Sequence, residues 1–86
     1  MSEAVRCWLV ERDYDDEDLI TLVYATPDGR RQLTQQKSAT LLGRQAITAA
    51  IAVDADRLEP VPRTDRDRYA NEATRMADRH DPDDEV

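Results

Sequence analysis

The chain contains very little of several residue types on which enzymes and membrane proteins depend. Its 86 residues include no phenylalanine, one cysteine, one histidine, one lysine and two glycines. No apolar run approaches the roughly 20 residues of a membrane-spanning helix. Residues 1–4 have neither the basic start nor the apolar stretch of a signal peptide, and a lone cysteine forms no internal disulfide. We therefore expect a protein of the reducing cytoplasm that does not enter a membrane.

The few residues suited to catalysis do not form a recognisable arrangement. Neither Gly29 nor Gly43 begins a phosphate-binding loop. Cys7 alternates with apolar residues and has no evident base beside it, a pattern typical of a packing residue. We therefore expect no catalytic residues, no cofactor and no enzyme activity, and an active site shared between subunits is the least favoured function class.

Two acidic segments resemble metal-binding sequences, but neither has the ligands that a metal site requires. The run at residues 13–18 lacks the glycine at its sixth position, Asp18, and the glutamate at its twelfth, Tyr24, that a calcium loop requires. His80 is followed by several aspartates, but a structural site uses about four fixed ligands. We expect no metal site, a solvated loop at 13–18, and a helix-terminal role for His80.

Hydrophobic alternation predicts a hairpin-rich sheet in the first half of the chain. Residues 5–12 form a strand pattern with Val5, Cys7 and Leu9 on one face and Trp8 and its alternate neighbours, including Arg12, on the other. Residues 19–26 are apolar on both faces, as in a central strand. A Pro-Asp-Gly turn then leads into a polar strand over residues 30–36, which we expect at an edge.

The segment from residue 38 to residue 53 allows two interpretations. One is a short helix over residues 38–42, ended by Gly43 and followed by a strand over residues 47–53, where β-branched residues alternate. The other is a single helix over the whole segment, which its alanines favour. We prefer the strand by a small margin.

The last part of the chain predicts one helix after a proline-interrupted stretch. Thr64 is a suitable N-cap, and Tyr69, Ala73 and Met76 form an apolar stripe. The expected fold is therefore α+β, with an antiparallel sheet of three to four strands and a C-terminal helix packed on one face. Residues 1–80 would form this single domain, and residues 81–86 a disordered acidic tail.

Acidic residues exceed basic ones by 19 to 12, and the kinds of residue matter as much as the sum of −7. Thirteen of the acids are aspartate, 11 of the bases are arginine, and Lys37 is the single lysine. In this composition the chain resembles small uncharacterised acidic proteins of halophilic archaea. The resemblance implies a salt-loaded cytosol, where screening removes the self-repulsion of a highly charged chain.

The charges are distributed unevenly along the chain. Residues 29–53 hold four bases and no acid, whereas residues 1–28 and 54–86 carry net charges of −6 and −5. The basic segment predicts a surface for an anionic partner, or internal compensation of the acidic segments. The predicted partner-binding residues are these four bases and the aromatic residue that a partner would use as an anchor: Arg30, Arg31, Lys37, Arg44 and Trp8.

The salt concentration of the cytosol affects which class of partner this surface could bind. Each phosphate contact weakens steeply with salt, and the Debye length in molar salt is about 3 Å, so four bases would hold nucleic acid poorly. The favoured hypothesis is a non-enzymatic protein-interaction or regulatory module, with strand addition or a homodimer as its binding mode. The alternative is a nucleic-acid-associated protein that uses segment 29–53. For Trp8 the competing interpretation is a core residue beneath the helix.

Overall fold

A computed structural model describes residues 3–16, 18–38 and 47–86. Within them, one antiparallel sheet has the strand order β4-β1-β2-β3-β5 and carries one long helix. The elements are β1 Ala4–Asp16, β2 Leu19–Ala25, β3 Arg31–Ser38, β4 Ala50–Asp54, a 3₁₀ helix Ala55–Arg57, β5 Glu59–Pro60 and α1 Arg63–Arg79.

The α+β fold expected from the sequence is confirmed, with one strand more than expected. The additional strand is β5, whose two residues pair with Arg31 and Gln32 of β3. Its prolines give the extended conformation that the sequence indicated, and the pairing needs only two residues. The helix begins at Arg63 with Pro62 as its N-cap residue, so Thr64 is not the cap.

The strand β1 is longer than its hydrophobic alternation predicted, and it contains a bulge. Leu9 pairs with Tyr24 and Glu11 pairs with Val23, so Val10 is an extra residue on this strand. Beyond the bulge, pairing with β2 continues to Asp16, although the acidic run at 13–18 was expected to be a loop. The bulge also reverses the alternation, because an extra residue moves the following side chains to opposite faces.

The two faces of the sheet carry separate apolar clusters. On the helix side, Trp8, Ala49 and Ala50 pack with Ala73, while a second group joins Val23 and Ala25 to Val61 and Tyr69. The opposite face holds the largest cluster, whose buried members are Cys7, Leu9, Ile20, Leu22, Tyr24 and Val53. The predicted packing of the helix on one face of the sheet is therefore confirmed.

The face opposite α1 is concave. The strands β4 and β5 lie at the two ends of the strand order, yet only residues 55–58 connect them. A flat sheet of this width would need about 19 Å, which four residues that include a 3₁₀ turn do not span. The sheet is therefore curved, and Leu58 of the connection packs against the cluster that fills the concave face.

The turn between β2 and β3 is fixed by side-chain hydrogen bonds and by contact with the helix. The Thr26 hydroxyl donates to Asp28 Oδ1 at 2.5 Å, and the same oxygen accepts the Arg30 amide at 3.0 Å. Gly29 has a φ of 72°, and a Cβ at this position would collide with the carbonyl oxygen of Arg66 in α1. The predicted turn is present, and it packs directly on the helix backbone.

Residues 50–54 form β4, so a single helix from residue 38 to residue 53 is excluded. The β4 strand pairs with β1 from Ala4↔Asp54 to Trp8↔Ala50. The preferred strand interpretation is confirmed for its second half, where β-branched residues alternate. The predicted helix over residues 38–42 lies outside the described residues, except for Ser38, which belongs to β3.

Residues 81–86 return to the sheet, whereas the sequence led us to expect a disordered tail. The Ala49 amide donates to the carbonyl oxygen of Asp84 at 2.8 Å, and Thr48 forms an isolated bridge with Glu85. The side chain of Val86 packs against the apolar clusters. In the described part of the chain, no helix has the length and apolar character needed to cross a membrane.

Candidate functional site

The structure places Trp8 in the core rather than on the surface. Only 7% of this residue is exposed, and it packs in one cluster with Ala49, Ala50 and Ala73 beneath α1. The small side chains of these three alanines leave room for the indole ring. This position favours the core interpretation of Trp8 over the anchor interpretation.

Three of the four predicted basic residues lie in the described part of the chain, where they are exposed or partly exposed and do not form a compact pocket. Arg31 and Lys37 face the same side of β3, because they are separated by an even number of residues. They stand six residues apart, about 20 Å along a strand. Arg30 lies in the exposed turn, and Arg44 lies outside the described residues.

The bulge adds a residue to this basic face that alternation did not predict. Arg12 pairs with Leu22, whose side chain belongs to the concave cluster, so Arg12 faces away from Trp8. Burial raises the pKa of Tyr24 in that cluster, and the positive charge of Arg12 acts in the opposite direction. Tyr14, two residues further along β1, is 64% exposed on the same face. The concave side of β1–β3 is thus bordered by cations and an exposed phenol.

A groove of about 220 Å³ lies where β1 leaves its pairing with β4. We name it the β1–α1 groove. Its apolar floor comes from the bulge region of β1, from α1 and from the end of the described chain: Leu9, Val10, Met76 and Val86. Its rim is charged, with side chains from the same two secondary-structure elements and from the residue after the helix: Glu11, Arg12, Glu72 and His80.

The two acidic side chains of the rim already form ion pairs with arginines of α1. Glu11 Oε1 lies 3.2 Å from Arg68 Nη1, and Glu11 Oε2 accepts a 3.5 Å hydrogen bond from the Tyr69 hydroxyl. Glu72 lies 3.6 Å from Arg75. Burial and the neighbouring Glu11 charge raise the pKa of Tyr69, so this phenol remains a neutral donor. These contacts hold the β1 side of the groove to the helix.

The basic side chains of the rim have fewer close ion-pair contacts than the acidic ones. Among the residues that the structure describes, no carboxylate lies within ion-pair distance of Arg12, and the His80 Nδ1 atom lies 3.7 Å from Asp84 Oδ2. Both side chains border the apolar floor. An anionic group entering the groove would therefore find Arg12 available as a counter-charge.

The volume of the β1–α1 groove indicates what kind of group could bind in it. A pocket for a drug-sized ligand or a cofactor encloses about 300–1,000 Å³, so the β1–α1 groove is suited to one or two side chains. No strand within the described ranges pairs with the outer edge of β1 beyond Leu9. The groove thus combines a free strand edge with an apolar slot.

The cysteine of the chain does not line the groove. Cys7 is fully buried, and burial raises the pKa of its thiol, while the positive charge of Arg31 opposes the increase. In the described parts of the chain, no group of three or more His, Cys, Asp or Glu side chains could hold a metal ion.

The sequence contained only part of the signal for this groove. Met76 was recognised as part of an apolar helix stripe, but Val10 and Val86 were not linked to it. The bulge at Val10 and the return of residues 82–86 depend on tertiary pairing, which alternation along one segment does not report.

Comparison with protein families gives one result. A model for a family of unknown function, DUF7967, matches residues 1–86 of the chain. The protein therefore belongs to this family. No curated protein and no solved structure matches the chain.

Proposed function

We propose that this protein is a non-enzymatic interaction module that binds an extended segment of a partner protein in the β1–α1 groove. The observation that carries the proposal is an apolar slot beside an edge of β1 with which no strand of the described residues pairs. In strand addition, the edge supplies backbone hydrogen bonds and the slot selects a side chain. A buried catalytic cleft is not required for this activity.

We expect a partner strand to use the backbone groups that β1 directs away from β2. Leu9 donates to the carbonyl oxygen of Ala49 at 2.9 Å, so its backbone points away from β2. After the bulge, backbone groups that point toward β2 alternate with groups that point outward along the paired residues Glu11 to Tyr14. A partner strand would pair with these outward groups and place one side chain over Val10 and Met76.

The composition supports an interface that relies on apolar contact. With a net charge of −7 and one lysine, the chain is suited to a salt-adapted cytosol. In molar salt the Debye length is about 3 Å, so exposed ion pairs contribute little there. Backbone pairing and an apolar slot do not depend on long-range charge, and they would retain affinity in such a solvent.

A second candidate function follows from the basic side of the sheet. Arg12, Arg31 and Lys37 border the concave face together with the exposed Tyr14, a combination that suits single-stranded nucleic acid. The net charge opposes it. A titration with a short single strand at about 0.2 M and at molar salt tests this candidate, since phosphate contacts weaken with a log–log slope of about −0.9 per contact in duplex DNA and slightly less in single strands.

The proposed function is tested with three baits used on the same cell extract in molar salt. The baits are the wild type, Met76→Arg in the floor of the groove, and Thr74→Arg on the exposed side of the same helix. Both substitutions add the same side chain, so a non-specific charge effect acts equally on both. Circular dichroism of each bait verifies that the helix is retained.

We expect a protein retained by the wild type and by Thr74→Arg but lost with Met76→Arg. Its affinity is then measured with purified components, and sedimentation of the protein alone shows whether a second copy is the partner. The same set of proteins on all three baits would contradict binding in the groove.

A further inference from the structure

Residues 82–86 contact the molecule in the way a bound strand would. Their backbone pairs with residues 47–50 through three hydrogen bonds of 2.8–3.1 Å, donated by Ala49, Ala50 and Val86. The segment is antiparallel to its partner, as the Thr48↔Glu85 bridge shows. It pairs with the residues that lead into β4 and is not itself a strand of the five-stranded sheet.

The side chain of Val86 contributes to the β1–α1 groove. It packs against both apolar clusters and lines the groove together with Val10 and Met76. A β-branched apolar residue of segment 82–86 therefore closes one side of the slot.

The residues before Val86 are acidic, and one of them lies near the histidine of the rim. Asp84 Oδ2 lies 3.7 Å from His80 Nδ1 and accepts the Asp81 amide at 2.9 Å. Asp83 and Glu85 are exposed. The segment thus combines carboxylates, a strand conformation and one apolar side chain, and Arg12 on the rim lacks a carboxylate partner among the described residues.

We infer that the groove and the adjoining edge at residues 47–50 accept an acidic extended segment carrying a β-branched apolar residue, and that segment 82–86 occupies part of this site as an internal competitor. The inference rests on the proposed function and names the chemistry of its partner. The partner strand displaces the segment, so that its contacts continue from the edge of β1 to residues 47–50, and it places an apolar side chain where Val86 now lies.

The contacts of the segment suit displacement. They comprise three backbone hydrogen bonds, the contact of Asp84 with His80 and the partly buried side chains of Pro82 and Val86. The core strands, in contrast, have residues buried on both faces. Segments with so few contacts open at a low free-energy cost. The apparent affinity for an external strand falls in proportion to the fraction of molecules in which the segment is displaced.

The test uses the full-length protein and a capped hexapeptide with the sequence of residues 81–86, Asp-Pro-Asp-Asp-Glu-Val. Amide-resolved NMR titrations compare the wild type with Val86→Asn, which weakens the internal segment without adding a charge that would repel the peptide. Asp83→Asn is the matched control, because Asp83 is exposed in the same segment. If Val86→Asn is unfolded, Val86→Ala takes its place.

We expect the peptide to bind Val86→Asn at least tenfold more tightly than it binds the wild type or Asp83→Asn, with shifts at Ala49 and Ala50. A peptide with lysine in place of its acids should bind at least tenfold more weakly. Two results would exclude segment 82–86 as an internal competitor. One is equal affinity of the peptide for the wild type and Val86→Asn, and the other is the absence of a shift at these amides in either protein. The proposed function would still be decided separately, by the comparison of Met76→Arg with Thr74→Arg.

Discussion

The Val86 amide donates a hydrogen bond of 2.9 Å to the carbonyl oxygen of Ile47, which ties residues expected to be disordered to the sheet. Hydrogen exchange measures whether this return persists in solution. We expect the amides of Val86, Ala49 and Ala50 to exchange more slowly than the amide of Asp83, because each is a donor to a carbonyl oxygen across this edge. Equally fast exchange at all four would show that residues 82–86 are detached.

Trp8 and Tyr14 lie on the same strand but in opposite environments, which gives a matched pair of substitutions. Trp8→Ala removes a ring that is 7% exposed and should lower the free energy of unfolding by about 3–5 kcal/mol. Tyr14→Ala removes a ring that is 64% exposed and should change it by less than about 1 kcal/mol. Urea denaturation followed by circular dichroism measures both, and similar losses would contradict the burial of Trp8.

Gly29 is the position where a single methyl group should have the largest effect on the helix–turn contact. Gly29→Ala forces a residue into the left-handed region and directs its Cβ at the Arg66 carbonyl, so we expect a loss of about 2 kcal/mol or more. Pro27→Ala, in the same turn and exposed, is the control and should have a smaller effect. Thermal unfolding of both variants tests this difference, which would be absent if the turn did not touch α1.

Asp28 should make stability depend on pH in the acid range. Its hydrogen bonds from the Thr26 hydroxyl and the Arg30 amide lower the pKa of this carboxyl below 3.8. A lowered folded-state pKa adds stability above the unfolded pKa, and this stability is lost as the pH falls through the folded value. The difference in unfolding free energy between wild type and Asp28→Asn should therefore shrink as the pH is lowered from about 5. A difference that stays constant down to pH 2 would exclude this role.

Cys7 should report on opening of the fold. Because the thiol is fully buried and burial raises its pKa, a thiol reagent at pH 8 should label native protein at least about tenfold more slowly than protein in urea. The rate should increase in Trp8→Ala, which weakens packing on the other face of β1. Rapid labelling of the native wild type would contradict the buried position.

Much of the fold could be predicted because local patterns and tertiary pairing agree. The alternation of Val5, Cys7 and Leu9, the Pro-Asp-Gly turn and the helix stripe at Tyr69, Ala73 and Met76 each indicated an element that is present. The strand β5 was missed because two residues carry no periodicity. Residues 81–86 were misjudged because their acidic composition hides the single apolar contact of Val86.

The candidate site was predicted less well, for a physical reason. The charge distribution along the sequence identified Arg31 and Lys37, but it does not give the distance between them. The two residues lie about 20 Å apart along the same strand. Arg12 was assigned to the face of Trp8 because alternation was assumed to continue through Val10. The groove needs the bulge, the helix and residues 82–86 together, and no single segment of sequence contains all three.

The bulge at Val10 has a consequence for the side chains that follow it on β1. Leu9 and Glu11 are two positions apart, yet they belong to different environments, whereas the adjacent Val10 and Glu11 both lie toward α1. Because of this extra residue, Asp13 lies toward α1, whereas Arg12 and Tyr14 lie toward the concave side. One backbone irregularity therefore determines which side chains of β1 border the concave side, and a variant that lacks the extra residue would exchange them.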